Sequence, residues 1–184
     1  MRSPVFLLAL FAPICFAAGP TPHSTQARFG SPPQPLQDHM QKQVPESCPV
    51  TKPPTPPFVP PSPYPNETTP GSFWFGTNKL WILLRTDGTW QGLPEWPDGT
   101  FRQKLLWWHE GYNLRQTLHP PLKVSGSRVD SPAAPLQSGV SHGWTNDSNH
   151  PFITNGINLP ALGCWKISGR FEDTELSFVV WVTE

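Results

Sequence analysis

Residues 160–183 read PALGCWKISGRFEDTELSFVVWVT and carry the clearest structural signal in the chain. From Cys164 to Phe171, apolar and polar side chains alternate with a period of two, which is typical of a half-buried β-strand. Glu172-Asp173-Thr174 then interrupts the pattern with charge. The following run, Leu176 to Trp181, is rich in β-branched and aromatic residues, which favours a strand buried on most of both faces. The segment therefore predicts a β-hairpin against which the rest of the chain packs.

Shorter apolar segments, separated by turn signals such as Asp87-Gly88 and Pro94–Gly99, occupy residues 71–159. The expected strands are Phe73–Leu84 with a break at Gly76-Thr77-Asn78, Phe101–His109, Leu122–Val129, a strand beginning near Val140, and Phe152–Leu159 divided by a turn at Asn155-Gly156. Phe101–His109 also fits one or two helical turns, but its Trp107-Trp108 pair favours an extended strand. Short strands at this spacing predict an all-β fold.

The approach to the last hairpin suggests which all-β fold this is. Pro160-x-x-Gly163 precedes the penultimate predicted strand, and the aromatic residue Trp165 follows the glycine by two positions. This arrangement is a common way for immunoglobulin-like domains to turn a corner. The sequence therefore predicts an antiparallel immunoglobulin-like β-sandwich.

The N-terminus has the features of a secretory signal peptide over residues 1–18. Arg2 is followed by the apolar run VFLLALF (5–11) and by Ala17-Ala18 at a suitable cleavage position. The run is too short to cross a membrane, and no later segment reaches the roughly 20 residues required. Cys15 follows Pro13-Ile14 rather than the small residues of a lipoprotein signal, so lipidation of Cys15 and its removal with the signal both stay open. We expect a secreted or cell-envelope protein.

Cysteine usage follows from this expectation. If Cys15 leaves with the signal, Cys48 and Cys164 remain as an even pair in an oxidising compartment. A disulfide between them is the favoured interpretation, and two unpaired thiols are the alternative.

Proline-rich sequence precedes the predicted domain. Residues 19–45 contain few large apolar side chains and predict a disordered tether. The domain itself, residues 46–184, begins with a Pro-rich lead-in that extends to about residue 70. Its densest part, Lys52–Pro65 (KPPTPPFVPPSPYP), favours polyproline II as a spacer, with an SH3-type ligand as the alternative. The segment 48–51 is expected to be pinned against the domain by the disulfide and to add a short edge strand.

Charge and metal-ligand spacing exclude several functions. The 13 basic and 13 acidic residues give zero net charge and form no basic run, which argues against nucleic-acid binding. His109-Glu110 lacks the second histidine of the H-E-x-x-H zinc motif. His142 and His150 flank Asp147 and offer a weak metal-binding hypothesis, but solvated turn residues are the favoured interpretation. We predict no metal and no cofactor.

Catalytic motifs are absent from the sequence. There is no Gly-x-Ser-x-Gly elbow and no phosphate-binding glycine loop. Glu95, Asp98 and Glu110 are the acids that lie among aromatic residues, and they support the alternative of a secreted hydrolase acting on glycans. The favoured prediction is that the protein is not an enzyme.

The tryptophans give the one positive functional signal. Among those inside predicted strands, five are expected in the core: Trp74, Trp81, Trp107, Trp165 and Trp181. Trp90, Trp96 and Trp144 lie beside glycine, proline or asparagine in turn-like segments and are candidate binding residues. The favoured interpretation of these three side chains, however, is that they cap the open ends of the sandwich. We therefore expect an exported, non-catalytic binding or structural module whose partner is an unidentified protein or a cell-wall glycan.

Three motifs resemble those of an uncharacterised family of secreted or lipid-anchored bacterial proteins. They are CPVT (48–51), FGTNKLW (75–81) and the C-terminal GCWKISG (163–169) with LSFVVWV (176–182). The resemblance covers about residues 46–184. It implies a bacterial exported setting and a cysteine pair. The family has no assigned reaction, so the resemblance implies no catalytic residue.

Overall fold

The computed structural model describes residues 43–145 and 150–184, and within these ranges the chain forms ten β-strands and no helix. The strands are β1 (Ser72–Gly76), β2 (Leu80–Arg85), β3 (Thr89–Gln91), β4 (Phe101–His109), β5 (Lys123–Arg128), β6 (Gln137–Ser138), β7 (His142–Trp144), β8 (Phe152–Leu159), β9 (Gly163–Phe171) and β10 (Thr174–Thr183). The predicted signal peptide with Cys15, residues 19–42 of the tether, and Asp147 lie outside the described residues. None of the described segments is a helix that could span a membrane.

Two sheets make up the domain. The larger has the strand order β1-β2-β4-β8-β6, with β7 also paired to β8, and the smaller has the order β3-β10-β9-β5. All strand pairs are antiparallel except β3 with β10, which is parallel. The all-β prediction is confirmed, and the two largely antiparallel sheets are consistent with a β-sandwich.

The C-terminal hairpin forms as its sequence period predicts. Thr174 of β10 pairs with Phe171 of β9, which leaves Glu172-Asp173 as a two-residue turn. Glu172 has φ of 53°, a left-handed conformation that short hairpin turns require. Because β10 lies between β9 and β3, it is a central strand and is buried or half-buried from Leu176 onward.

The two sheets meet around Trp107, whose indole is fully buried. Its ring centroid lies 5.9 Å from that of Phe178 on the smaller sheet. Gly169 of β9 makes room for the indole, because a Cβ at this position would overlap the Trp107 ring. Of the five tryptophans predicted for the core, Trp107 and Trp165 belong to the main hydrophobic cluster, Trp74 and Trp81 are buried outside that cluster, and Trp181 is half-buried near the disulfide.

Strand β8 corrects the predicted turn at Asn155-Gly156. The strand runs unbroken, and Leu105 of β4 pairs with Asn155. The Asn155 side chain is buried and donates from Nδ2 to the Gly139 carbonyl at 2.8 Å and to Ser141 Oγ at 3.0 Å. An exposed Asn-Gly pair favours a turn. Here the strand continues instead, because the buried Asn155 side chain has its hydrogen bonds satisfied within the fold.

The segment between β5 and β8 also differs from prediction. Instead of one strand beginning near Val140, the chain makes two short strands, β6 and β7, which pair with β8 at different places. Val140 lies between them and is exposed.

The Pro-rich lead-in is packed against the outer face of the larger sheet. Trp81 pairs with Trp108, the neighbour of the inward-facing Trp107, so both lie on the outer face. The rings of Tyr64 and Phe58 lie 4.9 and 6.5 Å from that of Trp81, centroid to centroid. The spacer interpretation is therefore wrong for this part of the lead-in, because these two aromatic anchors hold it on the sheet.

The predicted disulfide Cys48–Cys164 is present, with a Cα–Cα distance of 5.6 Å. Beside it, the Thr51 N–H donates to the Val179 carbonyl at 2.9 Å, and the Val179 N–H donates to Thr51 Oγ1 at 2.8 Å. The segment 48–51 is thus fixed to β10 as expected, but it forms no strand of its own.

Candidate binding surface

Trp90 is a core residue. It lies in β3, is only 8% exposed, and its ring centroid is 6.2 Å from that of Phe178. Trp90 therefore offers no exposed face to a ligand, because β3 pairs with the parallel strand β10 and Trp90, opposite Val182, packs into the core.

Trp96 is 46% exposed but is engaged in its own turn. Its backbone N–H donates to the Thr100 carbonyl at 2.9 Å, and the Arg102 guanidinium lies 3.5 Å from the centroid of the indole ring. Asp98 forms an ion pair with the same arginine at 3.5 Å. One face of the indole is therefore occupied by a cation–π contact that steadies the turn.

Trp144 is 60% exposed and lies among other exposed apolar side chains. A shallow depression of about 380 Å³ adjoins it. We call this region the Trp144 surface, and its lining residues are Lys104, Leu118, Val140, His142, Gly143, Trp144, Thr154 and Gly156. Leu106, which is also exposed and pairs with Thr154, lies beside it.

The strand register explains why these residues share one face. Lys104 pairs with Gly156, whereas Thr154 pairs with His142. Directly opposite residues point to the same side of a sheet, here the outer side. Gly156 adds no side chain, and a Cβ there would meet nothing within 4 Å, so the depression lies over this glycine.

The Trp144 surface continues an aromatic row on the same face. Trp74 packs on Trp108 and Trp108 packs on Phe152, with ring centroids 4.9 and 5.7 Å apart. Phe152 in turn pairs with Trp144 across β7 and β8. Trp74 and Phe152 are buried, so Trp144 is the exposed end of the row.

Backbone contacts hold the surface in shape. The Gly143 N–H donates to the Leu118 carbonyl at 2.7 Å, which joins β7 to the loop after β4. Tyr112 lies underneath and donates from its hydroxyl to the Thr117 carbonyl at 2.8 Å. A Cβ at Gly143 would overlap that hydroxyl, so only glycine lets the strand approach.

Trp96 and Trp144 belong to opposite ends of the same ladder. Trp96 adjoins the Glu95–Phe101 bridge, and Phe101 pairs with Leu159 at the far end of β8 from Phe152. Seven residue steps along a strand correspond to about 23 Å. Of the three candidate tryptophans, Trp144 alone therefore contributes to this surface.

The candidate carboxylates are not brought together. Glu95 and Asp98 precede β4 and Glu110 follows it, and a nine-residue strand spans roughly 30 Å. Hydrogen bonds from the Thr100 hydroxyl and N–H hold the pKa of Asp98 below its usual value. Glu110 lines a second depression of about 750 Å³ between Pro61–Tyr64 and residues 110–115, without the other two acids. Glycoside hydrolysis needs paired carboxyl groups within about 10 Å.

The two histidines of the metal-binding hypothesis, His142 and His150, contact different parts of the domain. His150 Nε2 lies 2.8 Å from the Pro63 carbonyl oxygen, whereas the His142 ring lies beside that of His119. Asp147, the third member of the hypothesis, is outside the described residues. In residues 43–145 and 150–184 no group of three or more His, Cys, Asp or Glu side chains is placed to hold a metal ion.

His109 packs on Phe171 with ring centroids 4.2 Å apart, and burial lowers its pKa, outweighing the raising effect of Glu172 and Glu110. His109 therefore binds a proton more readily in the unfolded chain than in the folded one. We expect the free energy of unfolding to be highest above pH ~6.5 and to fall as pH drops toward the lowered pKa of His109.

Urea unfolding of the wild type and of His109→Gln, measured from pH 8 to pH 5, tests this expectation. The free energy of unfolding of the wild type should fall more steeply with decreasing pH than that of the variant. All other titrating groups are the same in both proteins, so the difference between the two curves reports His109 alone. Parallel curves would contradict it.

Comparison of the chain with protein-family models, with curated proteins and with solved structures finds no match. Function is therefore inferred from the Trp144 surface itself. Sequence reasoning found Trp144 but missed Leu118, Val140 and Lys104. These come from separate strands and loops, and only the pairing register, with a glycine at position 156, brings them together.

Proposed function

We propose that the protein is an exported, non-catalytic module with an immunoglobulin-like β-sandwich fold that binds its partner through the Trp144 surface. The observation that carries the proposal is a set of exposed apolar side chains, Leu118, Val140 and Trp144, that surround one depression. Isolated exposed apolar residues are ordinary, but a grouped set around a depression is typical of an interaction site.

Four features support export and the immunoglobulin-like type. The disulfide Cys48–Cys164 is compatible with an oxidising compartment outside the cytoplasm. Residues 1–18 have the pattern of a signal peptide, and the resemblance to exported bacterial proteins agrees with both. The C-terminal hairpin, entered at Pro160 through the Pro-x-x-Gly corner, fits the last two strands of such a domain.

The surface suits a cell-wall glycan or an extended protein segment. The Trp144 ring offers a flat face for stacking, and the exposed Lys104 supplies a charged group at the edge of the depression. The alternative of a glycan hydrolase gains no support, because Glu95, Asp98 and Glu110 do not converge.

Replacing Trp144 by alanine should weaken ligand binding by about 30-fold, or roughly 2 kcal/mol, because the largest exposed contact is removed. Stability should change by less than ~0.5 kcal/mol, since the side chain is exposed. Ligands are first identified by the change in tryptophan emission across a panel of cell-wall glycans and envelope proteins, and their affinity is then measured by calorimetry.

Trp96→Ala is the matched control, because Trp96 is also exposed but lies at the other end of β4, and this variant should bind normally. The proposal is overturned if no member of the panel binds, or if Trp144→Ala binds normally. A loss of more than 1 kcal/mol of stability in Trp144→Ala would instead indicate a capping role.

A further inference from the structure

Two histidines from distant parts of the sequence meet at the edge of the Trp144 surface. The imidazole centroids of His119 and His142 lie 4.8 Å apart, with the rings inclined by 71°. Both side chains are exposed to solvent. His119 belongs to the loop between β4 and β5, and His142 begins β7. No local sequence pattern indicates that these two residues lie side by side.

The backbone holds the two residues together. The hydrogen bond from Gly143 N–H to the Leu118 carbonyl joins the neighbours of the two histidines. His142 is also paired with Thr154 of β8, and its carbonyl accepts a bond from the Thr154 hydroxyl at 3.3 Å. The loop and the strand are therefore fixed before any ligand arrives, which lowers the entropic cost of gathering the two rings.

The spacing of the rings matches a shared metal ion. Two imidazoles on a tetrahedral Zn²⁺, with Zn–N bonds of about 2.0–2.1 Å, place their centroids about 5 Å apart. Neutral imidazole is a preferred ligand of Zn²⁺, Ni²⁺ and Cu²⁺, and exposed rings can turn a nitrogen toward the ion at little cost.

We propose that His119 and His142 form a binding site for a divalent transition metal such as Zn²⁺. The two rings fill two coordination positions, and water fills the others. Lys104 lines the same depression, and its positive charge sets a limit on affinity. The positions held by water lie beside the Trp144 surface, where a carboxylate or imidazole of a bound partner can displace a water molecule and complete the coordination. The site does not depend on the proposed function.

The test is calorimetric titration of the full chain with ZnCl₂ at pH 7.5. His119→Ala and His142→Ala should each weaken the site at least about tenfold. His150→Ala, which removes a histidine held at the Pro63 carbonyl instead, should bind as the wild type does. The titrations are repeated in a His23→Ala/His39→Ala background, because these two histidines precede the described residues.

Imidazole ¹⁵N NMR gives a second readout that does not depend on stoichiometry. Zn²⁺ should shift the ring nitrogens of His119 and His142 together and leave those of His109 unchanged. Unchanged zinc affinity in both single variants, or the absence of any shift at His119 and His142, would overturn the proposal. Failure of the Trp144→Ala binding experiment would leave these results unaffected, so the two proposals are tested separately.

Discussion

Replacement of both Cys48 and Cys164 by alanine is expected to lower the free energy of unfolding by about 4–5 kcal/mol. The bond joins residues that are 116 positions apart. A cross-link across so long a loop removes much of the conformational freedom of the unfolded chain, and the chain-entropy relation gives roughly this value. Both cysteines are buried against Val50, so a small packing loss adds to the effect.

Urea unfolding with and without dithiothreitol separates the effect of the cross-link from the loss of side-chain packing. Reductant should bring the wild type close to the double variant, whereas the variant itself should not respond. Alkylation without reductant should label neither residue in the wild type. Free thiols in the oxidised protein, or a loss below ~1 kcal/mol, would show that the cross-link does not constrain the chain in this way.

Replacement of Trp107 by alanine is the second large effect, with an expected cost of about 3–5 kcal/mol. The indole is fully buried and lies against Phe178 and Gly169 at the centre of the contact between the sheets. Removing it leaves a cavity that two paired sheets cannot readily collapse to fill. Urea unfolding at neutral pH measures the loss.

Gly169 supplies a partner mutation for this prediction. Gly169→Ala alone should cost about 1–3 kcal/mol, because its methyl group would overlap the Trp107 ring. In the Trp107→Ala background the cavity accepts that methyl group, so the same substitution should cost much less. Gly156→Ala is the matched control in a strand, since its Cβ would meet nothing, and its effect should stay within ~0.5 kcal/mol. Additive costs for Trp107→Ala and Gly169→Ala would contradict direct contact between the two positions.

Local patterns in the sequence were sufficient for the C-terminal hairpin and for the cysteine pair. The period of two from Cys164 to Phe171 reflects a strand with one face in the core, and that relation holds whatever the strand packs against. The disulfide was predicted from the expected oxidising compartment and the even number of remaining cysteines, without any geometric argument. The structure confirms the bond.

Predictions failed where a distant partner decided the outcome. Asn155-Gly156 has the composition of a turn, yet Asn155 continues the buried period of Ile153 and Ile157 and finds its hydrogen bonds in the segment 139–141. Trp90 follows a turn, and its burial depends on a parallel partner at the other end of the chain.

Composition alone also misjudged the lead-in. Prolines indicated a spacer, but two aromatic residues among them, Phe58 and Tyr64, were enough to anchor it on Trp81. The Trp144 surface and the His119–His142 pair depend on register across β7 and β8, which no local window contains.

The position of β10 between β3 and β9 bears on when this domain can fold. Synthesis proceeds from the N-terminus, so β10 is the last of the ten strands to leave the ribosome, and the smaller sheet lacks its central member until then. The disulfide, too, can form only after Cys164 on β9 has been synthesised, 116 residues after Cys48. The smaller sheet is therefore completed only late in synthesis, an order that would suit the proposed export of the chain before it folds.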